Sequence, residues 1–268
     1  MNDVVYDLTN GWNSLAAELL YACMDNGVPA AELAFYERRI RANGGLALDQ
    51  ACGTGRHIIP LLEHGLQVHG ADISDDALAF ARKAAREHQL NPTLYHQRME
   101  ECSLPWRYGT LYVANGTFQI IVDRKRALST LRGFLKHLQP GGQLLLEISV
   151  PYEDIEDPDS HGENHPTLWE PTPRRDGEGQ IRTTLWTESV DLFEQTLVSK
   201  RRNELIIDGR VVQSELCAHP MTWYYKHEFQ MMLESAGFTD LQTYSDYGDE
   251  PATKDSTAVV YAGRRPVG

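Results

Sequence analysis

The sequence predicts an α/β protein: a mostly parallel sheet with helices on both faces, carrying a small inserted antiparallel sheet. Three observations predict it. Short apolar runs alternate with helical periods from Leu46 to Ile148, the pattern of parallel strands joined by crossover helices. A stretch after Val150, rich in Pro, Gly, Asp and Glu, breaks that alternation. Three strand-like segments follow it, two of them joined by Asp208-Gly209 as a tight hairpin.

The elements follow in order. Two helical patterns, Ser14 to Asn26 and Ala30 to Arg41, are punctuated by Gly27 and Pro29. Leu46-Ala47-Leu48 reads as a buried strand. A helix is expected from about Gly55 to Glu63, ending at Gly65, with a kink or loose first turn because Pro60 lacks a backbone donor. Val68 to Ala71 is the next strand. Ser74 is an N-cap with Asp75 and Asp76 in the first turn, where the helix dipole favours anions. Ala77, Leu78, Ala81, Ala84 and Ala85 give that helix its apolar face. Thr93 to Tyr95 and Leu111 to Ala114 are further strands. Asp123 caps a helix in which Leu128, Leu131, Leu135 and Leu138 recur at helical spacing, and "QPGG" at 139–142 ends it. Leu144 to Ile148 reads as a central strand. Residues 151–180 read as a long mobile loop. Ile181 to Val190, Thr196 to Ile207 and Val211 to Leu216 are the strands of the antiparallel sheet. A helix from Lys226 to Ala236 ends at Gly237, and strands follow near Leu241–Tyr244 and Ala258–Tyr261.

The 268 residues, 41% of them hydrophobic, suffice for one large domain or for one with a substantial insertion. Asp+Glu (38) exceed Lys+Arg (25), a net charge of −13, which repels phosphate backbones and argues against a nucleic-acid partner. Cys23, Cys52, Cys102 and Cys217 are far apart in sequence. No metal pair or redox motif is expected from them, and free thiols fit a reducing compartment. The opening "MNDVVYDLTNGWN" has no basic start followed by an apolar run, and no segment has the length of a membrane span. The expected location is cytoplasmic, with no membrane partner.

One stretch carries the functional signal. Asp49-Gln50-Ala51-Cys52-Gly53-Thr54-Gly55 joins the first strand to the first crossover helix. In such sheets ligands bind beyond the strand ends, at the crossover point. Gly53 and Gly55 let the backbone turn sharply and approach a ligand, and Ala51 and Cys52 are small. Asp72, followed by Ile73, ends the second strand, where a carboxylate accepts hydrogen bonds from two ribose hydroxyls. The combination implies an adenosine-type ligand. A nicotinamide dinucleotide prefers G-x-G-x-x-G; here those positions are Ala51, Gly53 and Arg56. Asp49, just before the turn, suits a cationic ligand better than a pyrophosphate.

"ALDQACGTGR" together with "VHGADIS" resembles the first two motifs of class I S-adenosylmethionine-dependent methyltransferases, and "LKHLQPGGQLLLEI" is similar to a later helix–turn–strand segment of that family. The resemblance covers about residues 44–150 and the C-terminal "EFQMMLESAGF". It implies a Rossmann-like, seven-stranded sheet and S-adenosylmethionine as cofactor. It divides the chain into an N-terminal helical cap (1–43), a cofactor-binding domain (44–150 and 221–268) and an inserted lid with its antiparallel sheet (151–220). Ala51 stands where the family usually has its first glycine. The family often has an acidic residue after the third strand that contacts the adenine amino group; here Met99 is expected to flank the adenine, with Glu100 nearby.

Methyl transfer from a sulfonium is an in-line displacement that needs alignment and exclusion of water. It needs a general base only when the acceptor is protonated. No fixed catalytic set and no metal are expected. Asn115, Gly116 and Gln119, after the fourth strand, are candidates beside the transferred methyl, or a turn and cap. Tyr6 and Trp12 are candidates for covering the cofactor, or for packing. Glu147, His219, Trp223 and Tyr224 are candidates for the acceptor pocket, against plain structural roles. His161, His165 and Glu163 lie in the acidic loop at irregular spacing and read as solvated. Related enzymes with strands inserted here methylate small molecules, and the strands sometimes mediate dimers; a small-molecule acceptor of an N- or O-methyl group and a homodimer are expected. Two alternatives stay open: an NAD-dependent oxidoreductase, and an S-adenosylmethionine-binding protein without turnover.

Overall fold

The structure is a computed structural model that describes residues 4–7, 12–157 and 162–268, with the backbone alone at 4–7, 25 and 26. His161 lies outside the described residues. In chain order the elements are β1 (Val4–Asp7), α1 (Leu15–Ala22), α2 (Ala30–Asn43), β2 (Ala47–Gln50), α3 (Ile58–Glu63), β3 (Val68–Asp72), α4 (Asp75–Glu87), β4 (Leu94–His96), β5 (Tyr108–Val113), α5 (Arg124–His137), β6 (Leu138–Ile148), α6 (Tyr152–Glu156), β7 (Thr167–Leu168), β8 (Thr172–Pro173), β9 (Gln180–Asp191), β10 (Thr196–Ile207), β11 (Arg210–Thr222), α7 (Lys226–Ala236), β12 (Thr239–Ser245) and β13 (Val259–Arg264).

Seven strands form the large sheet in the order β12-β13-β6-β5-β2-β3-β4. β4, β3, β2, β5 and β6 are parallel, and β13 and β12 add antiparallel pairs at one side. Strand alternation sorts the core onto the two faces. Leu111, Val113, Leu144, Leu146 and Tyr261 pack with Leu131 and Phe134 of α5 and Phe229 and Leu233 of α7. Tyr112, Leu145, Val260 and Ala262 pack on the other side with Phe35, Tyr36 and Ile40 of α2 and Leu61 of α3. This is the Rossmann-like sheet that the sequence predicts. Because β3 and β4 lie to one side of β2 and β5 to the other, a crevice opens beyond the ends of β2 and β5.

Both predicted caps form: the Ser74 hydroxyl accepts from Ala77 N–H (3.0 Å) and Asp123 from Arg126 N–H (2.7 Å). α3 is shorter than expected. Ala51, Gly53 and Gly55 have φ of 68°, 53° and 88°, left-handed angles that cannot propagate a helix, so it starts only at Ile58. Pro60 thereby falls in the first turn, where a missing N–H costs no helical bond. The α5 helix ends at His137, before "QPGG", and β6 begins at Leu138.

The antiparallel sheet is built on β9, β10 and β11. Asp208 (φ 50°) and Gly209 (φ 72°) are both left-handed, which suits the two-residue turn of a twisted hairpin. Three expectations are corrected. The segment 151–180 is not one long loop: α6 forms, and β7 and β8 pair with β9 at Thr167↔Leu185 and Thr172↔Ile181. Strands of two residues carry no periodic signal. The N-terminal segment contributes β1, parallel to β11, besides its helices. β11 continues to Thr222 through Pro220, beyond the last β1 pairing at Asp7↔Ala218, where an edge strand tolerates proline.

Candidate active site

The turn after β2 and the residues after β5 form the floor of a cavity of about 970 Å³. Asp49, Ala51, Cys52, Gly53, Asp72, Ile73, Met99, Glu100, Asn115 and Gly116 line it. The antiparallel sheet and the N-terminal segment roof it with Arg201, His219, Pro220, Met221 and Trp12. A Cβ on Gly53 would meet only Leu20 Cδ1, at 4.0 Å, so the glycine leaves open space on the cavity side. Gly55 does not reach the wall. A Cβ there would lie 3.4 Å from Ala81 Cβ, so its work is the approach of the turn to α4. Gly70, which the sequence reading passed over, is the tightest of these positions: a Cβ would sit 2.4 Å from Ile58 Cδ1 and 2.7 Å from Cys52 Sγ.

Asp72 holds the floor together. Its Oδ2 accepts from Gly53 N–H (2.7 Å) and its Oδ1 from Ser74 N–H (2.8 Å). Burial raises its pKa, against these N–H groups, which lower it. Two bonds leave a carboxylate with further acceptor sites. Asp49 is almost fully buried; desolvation, partly offset by His57, pushes its pKa up to about 6. Gln50 Oε1 is a buried acceptor with no partner and Gln97 Nε2 a buried donor with none, while the buried Asp49 carboxylate meets the Tyr112 hydroxyl, which lowers its pKa. Asp49, Gln50 and Gln97 line the cavity. Orphaned groups of this kind are costly in an empty protein. Two acceptors fit the ammonium of an amino-acid tail, and a donor beside Met99 fits a nucleobase.

A charged cluster missed by sequence reasoning props the turn from behind. Glu32 of α2, 3% exposed, accepts from Arg56 Nη2 (2.8 Å) and pairs with His57 Nε2 (2.7 Å). Burial pushes the Glu32 pKa up, but His57 and Arg56 outweigh it and hold it low. Arg56 Nη2 also donates to Asn115 Oδ1 (3.0 Å), and Glu147 Oε2 accepts from Asn115 N–H (2.8 Å) and from the Tyr247 hydroxyl (3.0 Å). Asn115 (φ 55°) and Gly116 (φ 63°) are left-handed. Spacing could not have revealed Glu32, which lies on a different element from the turn.

Of the acceptor candidates, Trp12 and His219 line the cavity and four do not. Gln119 is buried, donating to the Ser149 (2.9 Å) and Thr222 (2.8 Å) carbonyls. Glu147 stands behind Asn115. Trp223 is buried, and Tyr224 packs in the core with Phe118 and Phe229 under Arg124. An aromatic run at a junction is packing here, because this stretch leads from β11 into α7. Tyr6 lies on β1 opposite Cys217; its side chain is outside the described residues. His165 and Glu163 are exposed. Trp12 is fastened to the floor: the Ser74 hydroxyl lies 2.7 Å from its carbonyl oxygen. Desolvation, then Arg201, lowers the His219 pKa to about 4.

Residues 47–142 match a family described as "Methyltransferase domain". A dTDP-3-amino-3,6-dideoxy-alpha-D-glucopyranose N,N-dimethyltransferase of Streptomyces fradiae is 31% identical over 118 residues, 44% of this chain and 45% of the relative. A cypemycin N-terminal methyltransferase of a Streptomyces species is 22% identical over 215 residues, 80% of each chain. The structure of an S-adenosylmethionine-dependent methyltransferase from Clostridium acetobutylicum superposes with a TM-score of 0.74 at 16% identity, covering 92% of this chain and 97% of that one. The chain carries a class I S-adenosylmethionine-dependent methyltransferase domain. It is an enzyme that uses S-adenosylmethionine, and its expected acceptors are small molecules. No helix among the described residues is long and apolar enough to cross a membrane.

Proposed function

We propose that the protein methylates the amine nitrogen of a small molecule enclosed between the glycine turn and the antiparallel sheet. The observation that carries this is the single cavity of about 970 Å³ bounded by both. It lies at the upper end of the range for ligand pockets, about 300–1,000 Å³, with room for a nucleoside donor and a small acceptor beside it. Two relatives named for N-methylation support nitrogen.

S-adenosylmethionine, when bound, supplies a methyl group on a positively charged sulfur. In this reading Asp72 takes the ribose hydroxyls on its remaining lone pairs. Asp49 and Gln50 take the amino-acid ammonium, and Met99 packs on the adenine with Gln97 and Glu100 at its edge. Asn115 and Gly116, held by Arg56 and Glu147, shape the wall beside the acceptor. Leu20 and Cys23 of the N-terminal segment and Arg201, His219, Pro220 and Met221 of the antiparallel sheet form a roof that excludes water, with Trp12 at its edge. His219 is too weak a base at pKa about 4 to take a proton from an ammonium. Its neutral ring orients the acceptor as a hydrogen-bonding partner, and the amine loses its proton to water before it reacts.

The test is release of S-adenosylhomocysteine across paired small acceptors that differ only in amine or hydroxyl. Turnover of the amines alone is expected. Turnover confined to the hydroxyls, or to nucleic acid, overturns the reading.

A further inference from the structure

Arg201 is the unusual residue of the roof. It lies mid-strand on β10, opposite Cys217 of β11 and Leu185 of β9. It lines the cavity, yet the residue is only 9% exposed. Its guanidinium carbon is 4.1 Å from the centroid of the Trp12 ring and 5.0 Å from that of Trp169. Stacking of this kind uses the faces of the guanidinium. Its hydrogen-bonding capacity is at the edges, and there Nε and Nη1 have no partner. Each of the two bidentate edges, Nε/Nη2 and Nη1/Nη2, therefore holds an unsatisfied nitrogen. Among the described residues no carboxylate makes an ion pair with it.

A buried charge without a counter-ion is expensive, and proteins pair it. The neighbours do not supply the pairing. Burial raises the pKa values of the Cys23 and Cys217 thiols, and His219 is neutral at pH 7. The Arg201 pKa itself falls to about 10 through desolvation, so the group stays charged at neutral pH. The other arginines of the cavity differ: Glu32 holds Arg56, Arg98 has an interaction of its own, and Arg126 is exposed to water. The acids of the wall are Asp49, Asp72, Glu100 and Asp123. All four belong to the large α/β sheet and its connections, whereas Arg201 belongs to the antiparallel sheet.

We propose that Arg201 is the anchor for an anionic group on the acceptor, so that the substrate is a small amine that also carries a carboxylate or a phosphate. This rests on the cavity being the acceptor site, and it adds the chemical class that the site selects. Two oxygens of one carboxylate or phosphate match the paired N–H groups of a guanidinium edge. The acidic wall would repel such a group, and Arg201 would draw it to the roof. The two charges of the reacting pair, cationic donor and anionic acceptor tail, are thereby held apart.

The test uses the full chain saturated with S-adenosylhomocysteine, with calorimetric titration of acetate, inorganic phosphate and pyrophosphate. One-to-one, saturable uptake of a carboxylate or a phosphate in the millimolar range is expected; which probe binds tells the two sources apart. Arg201→Met, close in volume and able to stack between the same rings, should weaken that uptake at least tenfold while S-adenosylhomocysteine affinity stays within twofold. Should Arg201→Met fail to bind S-adenosylhomocysteine, Arg201→Lys replaces it, with a threefold to tenfold loss expected. In parallel, the wild-type enzyme should turn over amino acids or phosphorylated amines at least tenfold faster than their esters or dephosphorylated forms. Normal S-adenosylhomocysteine binding with no saturable anion uptake, with unchanged uptake in the variant, or with equal turnover of charged and neutral acceptors overturns the role of Arg201. Loss of S-adenosylhomocysteine binding in the wild type would instead overturn the reading of the cavity.

Discussion

Removing the Asp72 carboxylate tests the floor of the site most directly. Asp72→Ala deletes two charge-assisted hydrogen bonds, 2.7 Å to Gly53 N–H and 2.8 Å to Ser74 N–H. Such bonds contribute about 1.5–3 kcal/mol each. Gly53 is half-buried, so water replaces part of its bond, while Ser74 is fully buried and its N–H stays unpaired. The expected loss of stability is about 3 kcal/mol, near the lower end of the sum. Asp72→Asn keeps one neutral acceptor but turns its amide N–H₂ towards the other backbone N–H, so it should lose about 2 kcal/mol. On the proposed binding mode the ribose contacts go with the carboxylate, so S-adenosylhomocysteine should bind about 10- to 100-fold more weakly to Asp72→Ala. Urea unfolding with and without S-adenosylhomocysteine separates the two effects. The wild-type midpoint rises with ligand by linkage, and the variant midpoint should start lower and rise less. A variant that unfolds at the wild-type midpoint and keeps wild-type affinity would refute both the turn-locking and the ribose-binding roles.

Two further outcomes are expected. Ala51 has φ 68°, which costs an L-residue about 1–2 kcal/mol, against about 0.4–1 kcal/mol of extra unfolded-state entropy for glycine. Ala51→Gly should therefore raise stability by about 0.5–1 kcal/mol in urea titrations, and a destabilised variant would show that the alanine methyl is packed instead. Asp49 has its folded pKa raised to about 6 from an ordinary 3.8, so its contribution is fully present below pH 4 and is lost as pH rises through 6. Asp49→Asn should accordingly gain up to about 3 kcal/mol on the wild type between pH 4 and pH 7.5, while binding S-adenosylmethionine more weakly; a stability difference that is flat with pH would show that Asp49 ionises freely.

The large sheet was legible because its signals are local and redundant. Strands such as Leu144–Leu146 are buried on both faces and read as continuous apolar runs, and Ser74, Asp123 and Gly237 mark helix ends by their own chemistry. The glycine turn and Asp72 were legible because a bare backbone beside a strand-end carboxylate has few other uses. Glu32 and Arg201 were not. Glu32 lies on a helix with ordinary polar spacing, and its burial arises only where α2 meets the turn. Arg201 sits in "SKRRNE", which reads as a solvated charge run, and only strand alternation turns it inward beside Asn203 while Arg202 reaches Glu163. Trp223 and Tyr224 failed the other way: their side chains suit a pocket, but the exit from β11 puts them in the core.

The N-terminal helix depends on a residue made much later. Glu215 accepts from the Leu15 N–H of α1, across 200 residues of sequence, and α1 has only 8 residues, too few to hold a helix unaided. At about 5–20 residues per second on the ribosome, some 10–40 s separate the emergence of Leu15 from that of its carboxylate. During translation this segment must wait without its partner, so the last part of the cavity to close is assembled from one of the first parts of the chain to be made.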